Sequence, residues 1–134
     1  MLEKNPDTLK IVYKAYPLPS HKMSMPAVVA AFAANKQGRF WDFHDKIFSD
    51  FRNLNPDKIK QIAADLKLDM AQYDKDVADR PIQAQIGRDL REAQQAGVRG
   101  TPSLFLNGLP VENRSPQGIQ EMIDRELSKR GPAK

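Results

Sequence analysis

The sequence predicts an α+β fold in which one strand is followed by a block of about four helices, a β-hairpin and a last helix. Three observations support this order. A run of β-branched and aromatic residues lies near the N-terminus, apolar residues recur at three- and four-residue intervals through the middle, and an Asn-Gly pair separates two short apolar runs further on. We expect an incomplete sheet of about three strands, because the first comes long before the other two.

The first predicted strand is Lys10–Tyr16. Pro17 follows it directly and ends it, because proline cannot donate a hydrogen bond to a strand ladder. Ser24, with Pro26 two residues later, then predicts the start of a helix of small apolar residues. Gly38 marks the expected end of that helix.

The middle of the chain predicts a run of amphipathic helices. The first covers residues 39–51 and carries an aromatic stripe, which helical spacing assigns to the core rather than to a ligand groove. Asn55 and Asp69 are the expected N-caps of the next two helices, and a longer helix follows Pro81 and stops at Gly97. The residues of the stripe are Phe40, Trp41, Phe43, Ile47, Phe48 and Phe51.

The C-terminal part predicts a hairpin and a helix. Ser103–Leu106 is the second strand, and Asn107-Gly108 is a two-residue hairpin turn. The return strand, residues 109–112, contains a proline and is therefore expected at a sheet edge. Ser115-Pro116 begins the last helix, and Gly131-Pro132 ends it.

Length and composition exclude several classes of protein. A chain of 134 residues fits one domain, and its net charge of +4 comes from Lys and Arg interspersed with Asp and Glu. No basic run with interleaved aromatics is present, so we expect no nucleic-acid partner. No apolar stretch approaches the ~20 residues of a membrane span, and the polar N-terminus has no signal-peptide core, so we expect no membrane association.

The candidate chemistry is limited by the absence of cysteine. Disulfides, thiolate metal sites and thiol nucleophiles are excluded. His21 and His44 are the only histidines, which is a weak basis for a metal site, and no Ser-His-Asp pattern is present. We therefore expect no catalytic residue, metal or cofactor in this chain.

Three stretches, in this order, carry a resemblance to a known family: the strand with its proline exit at residues 11–19, the helical stretch at 38–48, and residues 97–102 with the strand and turn that follow. Together they resemble the DsbA-like thioredoxin-fold proteins, in which a helical subdomain is inserted into a thioredoxin core. The resemblance covers nearly all of residues 1–134. It implies a single domain with a helical insertion at about residues 25–96.

The resemblance also implies a function. In the family, the peptide bond before the proline that matches Pro102 is cis, and this loop lies beside a Cys-x-x-Cys motif that exchanges disulfides with protein substrates. Arg99, Gly100, Thr101 and Pro102 are then the expected substrate-binding residues, and unfolded or extended polypeptide is the expected partner. A periplasmic or secreted setting is implied as well.

The sequence departs from the family at its N-terminus. A first strand, the Cys-x-x-Cys turn and most of a first helix precede the strand at Lys10 in the family, whereas Met1–Leu9 lies there in this sequence. We therefore expect an N-terminally truncated, redox-inactive chain. The missing strand would separate the strands at Lys10–Tyr16 and Ser103–Leu106, so their exposed edges predict a homo-oligomer.

Besides a truncated member of the DsbA-like oxidoreductases, two alternatives remain open. The first is a non-catalytic peptide-binding module of the thioredoxin-like fold, and the second is a relative of the glutathione transferases and isomerases that share this fold. The second alternative predicts retention on a glutathione affinity matrix, and the first predicts weak binding of unfolded peptide without any thiol.

Overall fold

The computed structural model describes residues 1–131, which form six α-helices and one two-stranded sheet. Short 3₁₀ turns lie at Leu2–Lys4 and Phe51–Asn53. The architecture is therefore α+β and rich in helix, as the sequence predicts. The elements are α1 Ser24–Lys36, α2 Phe40–Ser49, α3 Pro56–Asp65, α4 Met70–Val77, α5 Arg80–Gln95, β1 Phe105–Leu106, β2 Leu109–Pro110 and α6 Pro116–Lys129.

The chain divides into two compact units. One is Lys14–Ala96, which contains α1 to α5, and the other combines Met1–Tyr13 with the residues from Gly97 onward, which contain β1, β2 and α6. The prediction of a single domain with an insertion at about residues 25–96 stays a prediction. The last helix is expected to stop at Gly131-Pro132. Gly131 has a φ of +68°, and Pro132 lies outside the described residues.

The core of the unit Lys14–Ala96 is built around α1, which contacts α2, α3, α4 and α5. Its small side chains allow the neighbouring helices to approach closely. Larger apolar residues of the other helices fill the remaining space, among them Phe43, Ile59, Tyr73 and Ile86. The buried residues of α1 are Val28, Val29, Ala30, Ala31, Ala33 and Ala34.

The prediction that the aromatic stripe at residues 39–51 lies in the core is wrong for three of its five aromatic residues. Phe40 and Phe43 are buried, as is Ile47, whereas Trp41, Phe48 and Phe51 are 48%, 62% and 57% exposed. At about 100° per residue, the run is too wide for one face of a helix, and α2 also ends before its last aromatic residue. His44 lies among the exposed rings, with its ring centroid 4.7 Å from that of Phe48.

Three predicted N-caps are confirmed and one is wrong. Ser24 is not a cap, because its hydroxyl accepts a hydrogen bond from the Leu18 backbone N–H at 2.9 Å, and α1 begins after Met23 without a side-chain cap. The preceding turn thus uses the oxygen that would otherwise have capped the helix. The confirmed caps are Asn55, Asp69 and Ser115, whose side chains accept from the backbone of Lys58, Gln72 and Gly118 at 2.9, 3.0 and 3.0 Å.

Asp89 on α5 is buried, although its charge-rich segment predicts a solvated surface. Its carboxylate accepts hydrogen bonds from the Ala15 backbone N–H and the Gln85 amide, each at 2.8 Å, and lies 3.8 Å from Lys14 Nζ. Lys14 also bonds Glu92 at 2.7 Å. This bond is the main cause of a raised pKa for Lys14 and a lowered pKa for Glu92, so both groups stay charged around neutral pH.

The strand predicted at Lys10–Tyr16 is absent: within residues 1–131 the sheet contains only β1 and β2. Side chains such as Ile11 and Val12 favour a sheet, but a strand forms only where a neighbouring strand pairs with its backbone. No described strand pairs with this segment. The expected count of about three strands is therefore corrected to two.

Candidate functional site

The predicted site residues lie in one exposed loop directly before β1. Arg99, Gly100, Thr101 and Pro102 are consecutive, and the peptide bond between Thr101 and Pro102 is cis. Of the four, Gly100 is half-buried and the others are exposed. Their role in substrate binding stays a prediction.

The turn that follows fixes the register of the hairpin. Asn107 and Gly108 have φ values of +50° and +81°, which is the combination that a two-residue type I′ turn requires. The Asn-Gly pair in the sequence predicts this turn correctly. It places Leu106 opposite Leu109 and Phe105 opposite Pro110.

This register decides which backbone groups of β1 point away from β2. The pair that flanks a two-residue turn exchanges hydrogen bonds, and so does every second pair beyond it. Accordingly, the Val111 N–H donates to the Leu104 carbonyl at 2.9 Å. Phe105 and Pro110 form the non-hydrogen-bonded pair between these two pairs. The hairpin therefore loses no hydrogen bond although Pro110 has no N–H. The backbone N–H and C=O of Phe105 therefore point to the side of β1 away from β2.

In the loop before β1, donors within the chain satisfy two of the carbonyls. The Gly100 carbonyl accepts from Ser103 Oγ at 2.7 Å, and the Pro102 carbonyl accepts from Arg114 Nη1 at 2.7 Å. Within residues 1–131, the backbone groups of Thr101 and Ser103 make no hydrogen bond. Together with the backbone of Phe105, they form what we call the open edge: Thr101, Ser103 and Phe105.

A hydrogen bond links helix α6 to the turn of the hairpin. Glu126 of α6 accepts a hydrogen bond from the Asn107 amide of the turn at 3.3 Å. Hydrogen bonds from Lys129, and then from Asn107, lower the pKa of Glu126, so the carboxylate is kept in its accepting form. The turn therefore has a charge-assisted link to the helix.

The segment that leads into α6 is ordered by local side-chain bonds. Asn113 Oδ1 accepts from the Ser115 backbone N–H at 3.1 Å, and Ser115 in turn caps the helix at Gly118. A side chain at Gly118 would overlap Asn113, so the two residues pack closely. Arg114 is thus held between two fixed neighbours.

An amide pair joins α6 to the N-terminal segment of the same unit. The buried Asn5 donates to Gln120 Oε1 at 2.9 Å and accepts from Gln120 Nε2 at 3.1 Å. Both partners satisfy each other, as buried amides require. This pair fixes α6, and with it the base on which the loop rests.

Sequence reasoning did not identify Ser103, Phe105 and Arg114 as part of the site. The signal for the first two was present, because a two-residue turn at Asn107-Gly108 determines which upstream residues face outward. No signal identified Arg114, which reaches the loop from twelve positions further along the chain. Neither histidine is near these residues in the sequence.

Metal-binding clusters and membrane-spanning helices are absent from the described residues. Residues 1–131 hold no cluster of three or more His, Asp or Glu side chains arranged to bind a metal ion. None of the helices described above combines the length and the apolar character needed to cross a bilayer.

Comparison with known proteins decides the family. A family model described as thioredoxin matches residues 1–125 of the chain. The chain belongs to the thioredoxin family. A solved structure of a thioredoxin-like oxidoreductase from Silicibacter pomeroyi superposes with a TM-score of 0.71 at 26% identity, covering 88% of this chain and 68% of that one. The predicted thioredoxin-like fold is thereby confirmed.

Two relatives that the chain matches are longer proteins. A probable disulfide bond formation protein D of Bacillus cereus is 31% identical over 100 residues, which are 67% of this chain and 44% of that protein. The Na(+)/H(+) antiporter NhaA 3 of Salinispora tropica is 33% identical over 122 residues, 90% of this chain but 18% of the antiporter. The chain thus spans less than half the length of these relatives. The similarity to the disulfide bond formation protein supports the DsbA-like branch of the family.

Proposed function

We propose that this chain binds extended polypeptide along the open edge and serves as the substrate-docking part of a thioredoxin-like thiol–disulfide oxidoreductase. The pattern of satisfied and open backbone groups at residues 100–105 carries the proposal. Donors within the chain satisfy the carbonyls of residues 100, 102 and 104, the backbone groups of Thr101 and Ser103 make no hydrogen bond within residues 1–131, and those of Phe105 point away from β2. An extended peptide adds to such an edge through main-chain hydrogen bonds.

Apolar side chains around the edge add contact area. Leu104, Phe105 and Leu109 are 40%, 44% and 46% exposed. Neighbouring residues of a strand lie on opposite faces, so Leu104 and Phe105 flank a docked peptide from both sides. Alternate side chains of the peptide would lie against them, which gives sequence preference in addition to backbone pairing.

The chemistry of exchange needs a thiol that this chain does not contain. In that reaction a thiolate attacks one sulfur of the substrate disulfide, a mixed disulfide forms, and the other sulfur leaves as a thiolate. The chain performs the docking step only, and the thiolate belongs to a cysteine supplied by another segment or another protein. Redox inactivity of the chain by itself follows from this division.

The test uses fluorescence anisotropy with a labelled, cysteine-free, extended peptide. Two matched peptides are N-methylated at every second residue, one at the odd-numbered and the other at the even-numbered positions. Each peptide therefore lacks a different half of the backbone N–H donors. We expect saturable binding of the parent peptide at micromolar to high-micromolar concentrations, and binding at least about tenfold weaker for one of the methylated peptides.

Two results would contradict the proposal. Absence of binding at high-micromolar protein would exclude docking of extended polypeptide. Equal affinity for all three peptides would show that side chains alone make the contact, and would exclude the open edge. Sedimentation velocity on the same samples separates peptide binding from self-association through this edge, which stays a prediction.

A further inference from the structure

The loop at residues 99–103 contributes two of the three residues of the open edge, and one hydrogen bond from a side chain elsewhere in the described chain links it to the rest of its unit. Ser103 Oγ bonds Gly100 within the loop itself. Among residues 1–131, the one side chain outside residues 99–103 that hydrogen-bonds this loop is that of Arg114, through Nη1 to the Pro102 carbonyl at 2.7 Å. The position of the loop therefore depends on this contact.

The geometry points to Arg114 as a positioning residue for peptide docking, an inference that rests on the proposed function. Its guanidinium holds the Pro102 carbonyl on the side of the loop away from the open edge. The Ser103 N–H lies in the same peptide plane as that carbonyl and points the opposite way. The backbone groups of Thr101 and Ser103 make no hydrogen bond within residues 1–131, so this contact leaves them open to a peptide. Arg114 thus acts on the substrate through the loop and not by touching it.

An arginine suits this role for two reasons. A charged donor makes a shorter and stronger hydrogen bond to a carbonyl than a neutral donor does. The side chain is exposed and pairs with no carboxylate of residues 1–131, so the guanidinium is not drawn away from the loop by an acidic neighbour. Its planar group also loses little freedom for each bond it forms.

The base of this contact is rigid. Arg114 lies between Asn113 and Ser115, whose side-chain bonds of 3.1 and 3.0 Å tie the segment to the first turn of α6. The Asn5–Gln120 amide pair then fixes α6. The loop is held in its docking conformation before a peptide arrives, which lowers the entropic cost of binding.

The test compares Arg114→Met, which keeps the length of the side chain without a donor, with Arg114→Lys, which keeps a charged donor. We expect Arg114→Met to weaken peptide binding by about tenfold and Arg114→Lys to recover affinity to within about threefold of the parent chain. Arg125→Met is the matched control, because among residues 1–131 the Arg125 side chain hydrogen-bonds only its own helix, at the Glu121 carbonyl. That control is expected to bind peptide like the parent chain.

Backbone amide resonances of Thr101 and Ser103 in the peptide-free protein provide a second readout. They are expected to shift in Arg114→Met and not in the control, while the urea midpoint of unfolding stays unchanged. Unshifted resonances, or unchanged peptide affinity, in Arg114→Met would overturn the inference even if the parent chain binds peptide. Failure of the parent chain to bind any peptide would instead overturn the proposed function, and with it a docking role for Arg114.

Discussion

Replacement of the buried Asp89 is expected to destabilise the helical unit strongly. In Asp89→Ala, the Ala15 N–H loses its acceptor at 2.8 Å in a place where Ala15 is 0% exposed, and the Gln85 amide loses its partner as well. An unpaired buried donor costs about 1–3 kcal/mol of folding free energy, and the lost interactions of Asp89 with Gln85 and Lys14 add smaller losses. Relief from burying a carboxylate offsets part of this loss.

The net expectation is a loss of about 3 kcal/mol in the free energy of unfolding, or a fall of about 10 °C in Tm for a chain of this size. Asp89→Asn keeps an acceptor for Ala15 but presents an N–H₂ group to the donor of Gln85, so an intermediate loss of about 1–2 kcal/mol is expected. Glu92→Gln is the matched control. It breaks only an exposed ion pair with Lys14 and is expected to cost less than about 1 kcal/mol.

The measurement is a urea titration at neutral pH, followed by far-UV circular dichroism and by the fluorescence of Trp41, the single tryptophan of the chain. The expected order of destabilisation is Asp89→Ala, then Asp89→Asn, then Glu92→Gln. If Asp89→Ala lost no more stability than Glu92→Gln, the backbone bond to Ala15 would not be holding this segment, and the reasoning would be refuted.

Two further predictions concern other buried positions. Burial, and to a lesser extent Asp74, raises the pKa of Tyr73 to about 12. The neutral phenol therefore stabilises the folded state fully below the unfolded-state pKa of about 10, and this contribution of about 2–3 kcal/mol is lost as the pH rises from about 10 to about 12. Stability should fall less steeply with alkaline pH in Tyr73→Phe, and an identical pH profile for the two proteins would contradict the burial argument. Gly118→Ala is expected to cost about 1–2 kcal/mol, because the added methyl overlaps Asn113, and to cost nothing in an Asn113→Gly background. Equal costs in both backgrounds, measured by urea unfolding, would show that Asn113 is not the obstacle.

Local signals in the sequence predicted local structure well. The caps at Asn55, Asp69 and Ser115 act over three residues, and the turn at Asn107-Gly108 depends on the φ values of two. Ser24 failed as a cap because a backbone N–H six residues earlier competes for its hydroxyl. Whether a backbone N–H outside the helix reaches a capping side chain depends on the path of the chain, which the local sequence pattern does not show.

Predictions that depend on distant partners were less accurate. The composition of Lys10–Tyr16 favours a strand, but pairing depends on a neighbour that the described residues do not provide. The burial of Asp89 depends on an N–H located 74 positions away. At the candidate site, the resemblance predicts Thr101 and Pro102, whose role stays a prediction, whereas no sequence signal pointed to Arg114, whose guanidinium the structure places on the loop.

Helix α1 constrains how the helical unit can change in sequence. Since this helix of small residues contacts four other helices, a larger side chain at Ala33 or Ala34 would displace several neighbours simultaneously, and no single compensating substitution would restore the packing. The outer aromatic face of α2 has no such restriction. Divergence between related proteins should therefore concentrate on that outer face, and the cross-section of α1 should set how closely the surrounding helices lie in all of them.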